Sequence, residues 1–393
     1  VEVTEATSYG GVVYSSIFAR ERYLGEGTIL QRDVSAMPLD ERSEETAATV
    51  AALAPFRPNG AFGSSTSLNT SSFGTQPIHA YLVDSSITGH GTRRFEQAVA
   101  IGTDKAEYDQ YLNGDIPAEP WMVPAQNGDR GLAIYDVSTG IMREYFMTVS
   151  VSADRPEVWK GTGGYSIVRP GLTHLAEDNY ALQQRRGLSN IAGMHNSFGF
   201  IGIQEALVKR IDHALCVTAS ALRMHDDSGS PYISWPSRGS DGKLENYLPG
   251  GSKYAQGQVW GGSTVTPTHG QWGRVDPELD PMYNPKTGKP FPEFTRVLIE
   301  AAKKYGLVFT DTNLWTHAFN AEQGRTFAHF YGEDPWKRGG IIERSYIDKY
   351  GNNGFDVSDF PWASVQWAPV DWGRPSPDMN LRPGQLAPWE REA

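Results

Sequence analysis

The chain has 393 residues and a net charge of −11, from 35 basic and 46 acidic side chains. The basic residues are scattered, and an acidic surface repels phosphate backbones, which argues against nucleic acid and anionic membrane surfaces as partners. No stretch of about 18 apolar residues occurs, so no membrane span is expected, and the single cysteine, Cys216, excludes an intramolecular disulfide.

In chain order, residues 1–76 read as a polar, irregular segment with one short helix, Glu41–Ala54. Its first turn is acidic, which suits the helix dipole, and Pro55 closes it. The Gly/Ser/Thr-rich run PNGAFGSSTSLNTSSFGTQP then reads as a loop. Ile78–Asp84 is the first clear strand. A hairpin follows, with strands Leu132–Val137 and Ile141–Val151 about the turn Ser138-Thr139-Gly140, where glycine supplies positive φ. The glycine-dense stretch 152–200 implies tight turns or a ligand-facing loop. Ile203–Arg210 forms a short helix, and RIDHALCVTAS alternates as a strand with Ile211, His213, Leu215 and Val217 on one face.

Ser234–Trp272 reads as long loops with short strands. The strongest helix is Pro292–Tyr305, where Phe294, Val297, Leu298, Ala301 and Tyr305 form one stripe between Pro292 in the first turn and Gly306 as the cap. LVFTDTN and WTHAFNAE are two more strands. From residue 361 the tail carries four tryptophans and six prolines, and reads as an ordered extended arm lying on a surface, its own or a neighbour's. Many Gly (42) and Pro (25) residues and an 11% aromatic content fit a folded chain with many turns and a substantial core. Strands dominate and do not alternate with helices, so the expected fold is mainly β: a β-sandwich or jelly-roll-like core with one or two packed helices and long ordered loops. The organisation is an N-terminal segment (1–76), a β-rich main domain (77–360) and a Pro/Trp-rich arm (361–393).

Four groups are candidates for catalysis or ligand binding. With Val137 opposite Ile141, Asp136 and Glu144 share one face as diagonal neighbours, roughly 7–8 Å apart at the backbone, a separation that suits glycoside hydrolysis. The competing reading has Asp136 starting the turn and Glu144 pairing with a neighbour. His213 points inward while Asp212 points away, either as a general acid or base or as a neutral core histidine. His195 and Asn196, in GMHNSFG, sit where glycines let polar side chains face a ligand. Trp235, Trp260, Trp272, Trp315 and Trp336 lie in or beside Gly/Asn/Asp-rich loops, so they either form a sugar-stacking platform or anchor those loops. The motifs GxSxG, GxGxxG, the P-loop, HExxH and CxxC are absent. No cofactor is called for, although HDDSGS (His225–Ser230) and Asn352, Asn353, Asp356 and Asp359 supply the hard oxygen ligands of a structural calcium ion.

In IYDVSTGIMREYF, GLSNIAGMHNSFGFIGI, RIDHALCVTAS, PYISWPSRGSDG and FTRVLIEAAKKYGLVFTDTN, the chain resembles a group of uncharacterised proteins of actinobacteria and actinobacteriophages, secreted or minor-tail-protein-like. The resemblance spans roughly residues 77–373. It implies an extracellular or virion-surface setting and a cell-envelope or glycan context, with no catalytic residues to carry over. A first residue of Val rather than Met fits removal of a leader or other processing. Two readings follow. One is a glycan- or envelope-engaging surface protein whose arm docks on neighbouring subunits. The other is a secreted glycoside hydrolase or polysaccharide lyase using Asp136 and Glu144 with His195 or His213. An arm packed on another chain favours the first, and an arm folded back around an open, acid-lined cleft favours the second.

Overall fold

The computed structural model describes residues 7–9, 12–14, 29–54, 66–69, 78–100, 111–125, 129–136, 138–167, 192, 194, 199–219, 222–223, 233–237, 265–312, 317–324, 332, 334, 336, 341, 345–347 and 353–373. In chain order the first strands are β1 (Thr7–Tyr9), β2 (Val12–Tyr14), β3 (Thr66–Asn69), β4 (Ile78–Val83), β5 (Thr92–Phe95), β6 (Val99–Ala100) and β7 (Gly114–Pro117). The long strands β8 (Gly131–Asp136), β9 (Ile141–Ser152) and β10 (Arg155–Ile167) come next. Then follow β11 (Leu215–Ala219), β12 (Trp272–Val275), β13 (Leu307–Thr312), β14 (His317–Asn320), β15 (Ser345–Ile347), β16 (Asn353–Phe355) and β17 (Val365–Trp367). The α-helices among the described residues are α1 (Ser43–Leu53), α2 (Ile203–Val208) and α3 (Glu293–Lys304).

One nine-stranded sheet runs β1-β2-β4-β8-β9-β10-β5-β7, with β6 also on β10, and a six-stranded sheet runs β17-β12-β13-β11-β14-β3. The mainly β fold with few helices is the expected one. Both sheets are mixed, however: β4–β8, β5–β10, β11–β13 and β14–β3 pair in parallel, a feature an antiparallel jelly roll does not have.

Strand alternation separates the apolar layers. Leu132 and Ile134 of β8 join Phe95, Tyr145 and Trp159 in one cluster. Ala133 and Tyr135 point the other way, into a cluster that also holds Met142 of the larger sheet and Cys216, Trp272 and Val308 of the smaller one. The alternate residues of the smaller sheet, Leu215, Val217, Leu307 and Phe309, join Phe294, Leu298, Ile299 and Ala302 of α3. Of the expected stripe, Phe294, Leu298 and Ala301 are buried, while Val297 and Tyr305 are half-buried. Gly306 follows with φ +79, and a Cβ there would lie 2.8 Å from the Gly273 carbonyl oxygen, so the chain leaves the helix where only glycine fits.

Three expectations need correction. The Ser/Thr-rich run taken as a loop contains β3, held by parallel pairing to β14. The hairpin turn has four residues, because Asp136 rather than Val137 stands opposite Ile141. The tail is partly regular: Val365–Trp367 forms β17 at the edge of the smaller sheet, and Trp362 and Trp367 are buried in the same cluster as Ala47 and Val50 of α1. An edge position suits a proline-rich segment, whose missing donors would interrupt an interior ladder. The arm thus folds on its own chain as far as residue 373.

Candidate functional site

The register at the β8–β9 turn decides the fate of the carboxylate pair. Ile134 lies opposite Arg143 and Ala133 opposite Glu144, so Asp136 shares its face with Arg143 while Glu144 points to the other side of the sheet. A one-residue slip exchanges faces along a whole strand, and the expected acid pair does not form. Asp136 instead accepts hydrogen bonds from the Ser85 amide (3.1 Å) and hydroxyl (2.6 Å), from the Ser138 amide (3.2 Å) and hydroxyl (2.8 Å), and from the Thr139 hydroxyl (2.8 Å). Burial acts to raise its pKa, but these bonds, those from Ser85 foremost, outweigh it and hold the carboxyl below its ordinary value. Such a group closes a turn and has no proton to give at neutral pH. Glu144 is fully buried. Arg143, also buried, donates from Nε to the Tyr111 carbonyl at 2.7 Å.

His213 is inward, as alternation predicts, and Asp212 is outward, 2.5 Å from Arg210 Nη2. The imidazole is fully buried. Its Nδ1 donates to the Ala214 carbonyl at 2.6 Å, and Nε2 lies 3.3 Å from Glu205. With Nδ1 committed to a carbonyl and Nε2 turned to a buried carboxylate, neither ring nitrogen reaches solvent. Glu205 also accepts the Gly202 amide at 2.7 Å at the start of α2, and the buried Glu322 accepts the Ile203 amide at 2.9 Å. The node fastens α2 to the smaller sheet and offers no face to a substrate.

Trp235 and Trp272 are buried, and Trp336 is fully so. Trp235 donates its amide to Asp371 at 2.7 Å, whose own amide donates to Ser234 Oγ at 2.9 Å. Arg32 lies over both Trp235 (5.4 Å) and Trp372 (5.0 Å), and Trp372 meets Trp272 edge-on at 6.2 Å. These indoles fasten the 234–237 loop, the arm and the N-terminal segment together, so Trp235 and Trp272 are not an exposed sugar platform. Trp336 donates its indole N–H to the Glu322 carbonyl at 2.9 Å. The remaining candidates, His195, Asn196, Trp260 and Trp315, lie outside the described residues, as do His225–Ser230 and Asn352. Asp356 accepts the Ser358 amide at 2.8 Å in a local turn. Among the described residues no three His, Cys, Asp or Glu side chains are placed to hold a metal ion, and no helix is long and apolar enough to cross a membrane.

Among the described residues, one well-formed cavity lies away from the sequence candidates. It is an open groove of about 540 Å³ between α3 and the turn after α2, lined by Ile211, Val297 and Ala301 and by the charged side chains of Lys209, Arg210, Asp212, Glu293, Arg296, Glu300, Lys303 and Lys304. Ser35, Pro277 and Tyr305 complete it. Lys209 pairs with Glu293 at 2.7 Å, which holds the Glu293 carboxyl below its usual range. Both residues also line a neighbouring hollow of about 170 Å³ with Leu207 and Ile341. Lys304 Nζ stands 5.1 Å from the Tyr305 ring centroid. The charged half of this wall was visible in the sequence as the polar face of an amphipathic helix, a pattern that ordinarily means only solvation. No protein-family model, curated protein or solved structure matches the chain.

Proposed function

We propose that the protein is a surface-exposed binding protein that engages cell-envelope glycans in an extracellular or virion-surface setting, without cleaving them. The observation that carries this reading is the commitment of the described candidate catalytic groups, Asp136, Glu144 and His213. Asp136 is saturated by hydroxyl and amide donors, while Glu144 and His213 have no solvent-exposed surface. A glycosidase needs two carboxylates flanking one accessible bond, and Asp136 and Glu144 cannot flank one from opposite faces of a sheet. The open groove on α3, rich in hydrogen-bonding groups, favours recognition of a polar ligand instead. The arm, folded on its own chain as far as residue 373, leaves subunit docking to the segment beyond it.

Co-sedimentation of the whole protein with insoluble cell-wall polysaccharide tests binding, and release of reducing ends or of unsaturated uronate absorbance tests cleavage. The expected result is retention with no release. Steady, enzyme-proportional release would overturn the non-catalytic reading, and absence of retention on every envelope preparation would overturn the glycan reading.

A further inference from the structure

The groove on α3 differs in charge from the rest of the molecule. The chain as a whole carries −11, yet the groove is lined by five basic residues and three acidic ones. Two of the five are neutralised locally, Lys209 by Glu293 and Arg210 by Asp212. A third, Lys303, donates to the Leu279 carbonyl at 2.5 Å. Two cations, Arg296 and Lys304, then remain without a close ion pair among the described residues, their charges acting only through space on Glu293 and Asp33. Arg296 donates from Nη1 only to the thioether of Met282 at 3.1 Å, a weak acceptor, and its Nε is buried without a hydrogen-bond partner. Lys304 is exposed, its ammonium group lies 5.1 Å from the Tyr305 ring centroid, and its charge helps hold the Asp33 carboxyl below its ordinary value without forming a close ion pair. A guanidinium with unspent donors is a fork for carboxylate or phosphate oxygens.

We infer that this groove is the ligand site and that the ligand is an acidic polysaccharide, its carboxylates or phosphates meeting Arg296 and Lys304. The inference rests on the glycan-engaging reading above and names the site and the class of glycan. Arg296 and Lys304 are eight residues apart on one helix, so their backbones are separated by about 12 Å at 1.5 Å per residue. That spacing suits a chain with repeating charges better than a single small anion. Glu300 lies between them, one turn from each, so the anionic groups of the ligand meet the groove at its two cationic ends. The acidic remainder of the surface opposes nucleic acid.

The test uses the whole protein with three soluble probes: polygalacturonate, a poly(glycerol phosphate) and neutral dextran. Binding is measured by affinity electrophoresis at low and high salt. Arg296→Glu and Lys304→Glu are compared with Arg94→Glu, an exposed arginine on β5 already paired with Glu96 and Asp115. The expected result is salt-sensitive binding of an acidic probe, weakened about tenfold by either groove reversal and unchanged by Arg94→Glu. Which acidic probe binds distinguishes a carboxylate ligand from a phosphate one. Lys304→Glu, on an exposed side chain, keeps the test decisive if Arg296→Glu fails to fold. Polysaccharide binding that ignores both groove variants would overturn the site and leave the glycan reading standing. Binding of dextran alone would overturn the anionic ligand. Retention of no polysaccharide in any form would overturn both.

Discussion

Replacing Asp136 with alanine separates a structural from a catalytic carboxylate. The side chain is the acceptor for two backbone amides and three hydroxyls, from Ser85, Ser138 and Thr139. A hydrogen bond to a charged group contributes about 1.5–3 kcal/mol, and an amide left without its acceptor costs a further desolvation penalty. The hydroxyls can turn to water, so Asp136→Ala should destabilise the chain by about 2–4 kcal/mol, the cost residing mainly in the two amides. The group's pKa is lowered in the fold, so its stabilisation is present above the unfolded carboxyl value of about 3.9 and fades as pH falls through the lower folded value. The gap in urea stability between wild type and Asp136→Asn should accordingly be full at neutral pH and narrow below about pH 4. Hydrogen exchange supplies a local readout that needs no two-state assumption: the Ser85 and Ser138 amides should lose protection together in Asp136→Ala. A loss under about 0.5 kcal/mol, or unchanged exchange at both amides, would refute the assignment of Asp136 to turn closure.

Leu298 is fully buried on α3, and Leu298→Ala should cost about 2–5 kcal/mol in a denaturant titration. His317 is buried with Nε2 donating to the Val50 carbonyl at 3.0 Å, and burial pushes its pKa down to about 4. The unfolded chain therefore binds the extra proton first, and stability should decline by up to about 3 kcal/mol as pH falls from about 6.5 to 4, a slope that His317→Gln should remove from urea titrations across that range. Trp367 is fully buried and stacks on Phe309 at 5.5 Å. Trp367→Ala should cost about 3–5 kcal/mol, and truncation after Phe360 should lower solubility, both read by melting and light scattering.

What the sequence disclosed follows from which interactions are local. Helix α3 was legible because its stripe, its closing glycine and its basic last turn all lie within fifteen residues. The hairpin was legible as a hairpin, but its register was not. Val137 has strand rather than turn propensity, so its sequence extends the strand by one residue, whereas in the fold Asp136 stands opposite Ile141 and the Gly140 amide donates to the Asp136 carbonyl at 2.8 Å. That single residue moves Glu144 to the opposite face and dissolves the proposed acid pair. Strand β3 was missed because Thr66–Asn69 has little strand character of its own, and pairing with β14 supplies what propensity lacks.

The tryptophans show a second limit. Gly, Asn and Asp around Trp235 and Trp272 report that the backbone turns there, and say nothing about what lies above the ring. Cover comes from Arg32 and Trp372, more than 100 residues distant from Trp235 in either direction. The groove has the same origin: its two walls, Lys209–Asp212 and Glu293–Tyr305, are separated by some eighty residues of chain. Each alone is a solvated charged surface. Together they leave Arg296 hydrogen-bonded to a thioether, with the Glu293 carboxylate acting on it only through space, and that arrangement is a property of the fold that neither segment carries in its own sequence. A carboxylate in direct contact would satisfy more of the Arg296 donors than a sulfur can. Keeping the donors open on an otherwise acidic protein is the physical reason to look for an acidic ligand there.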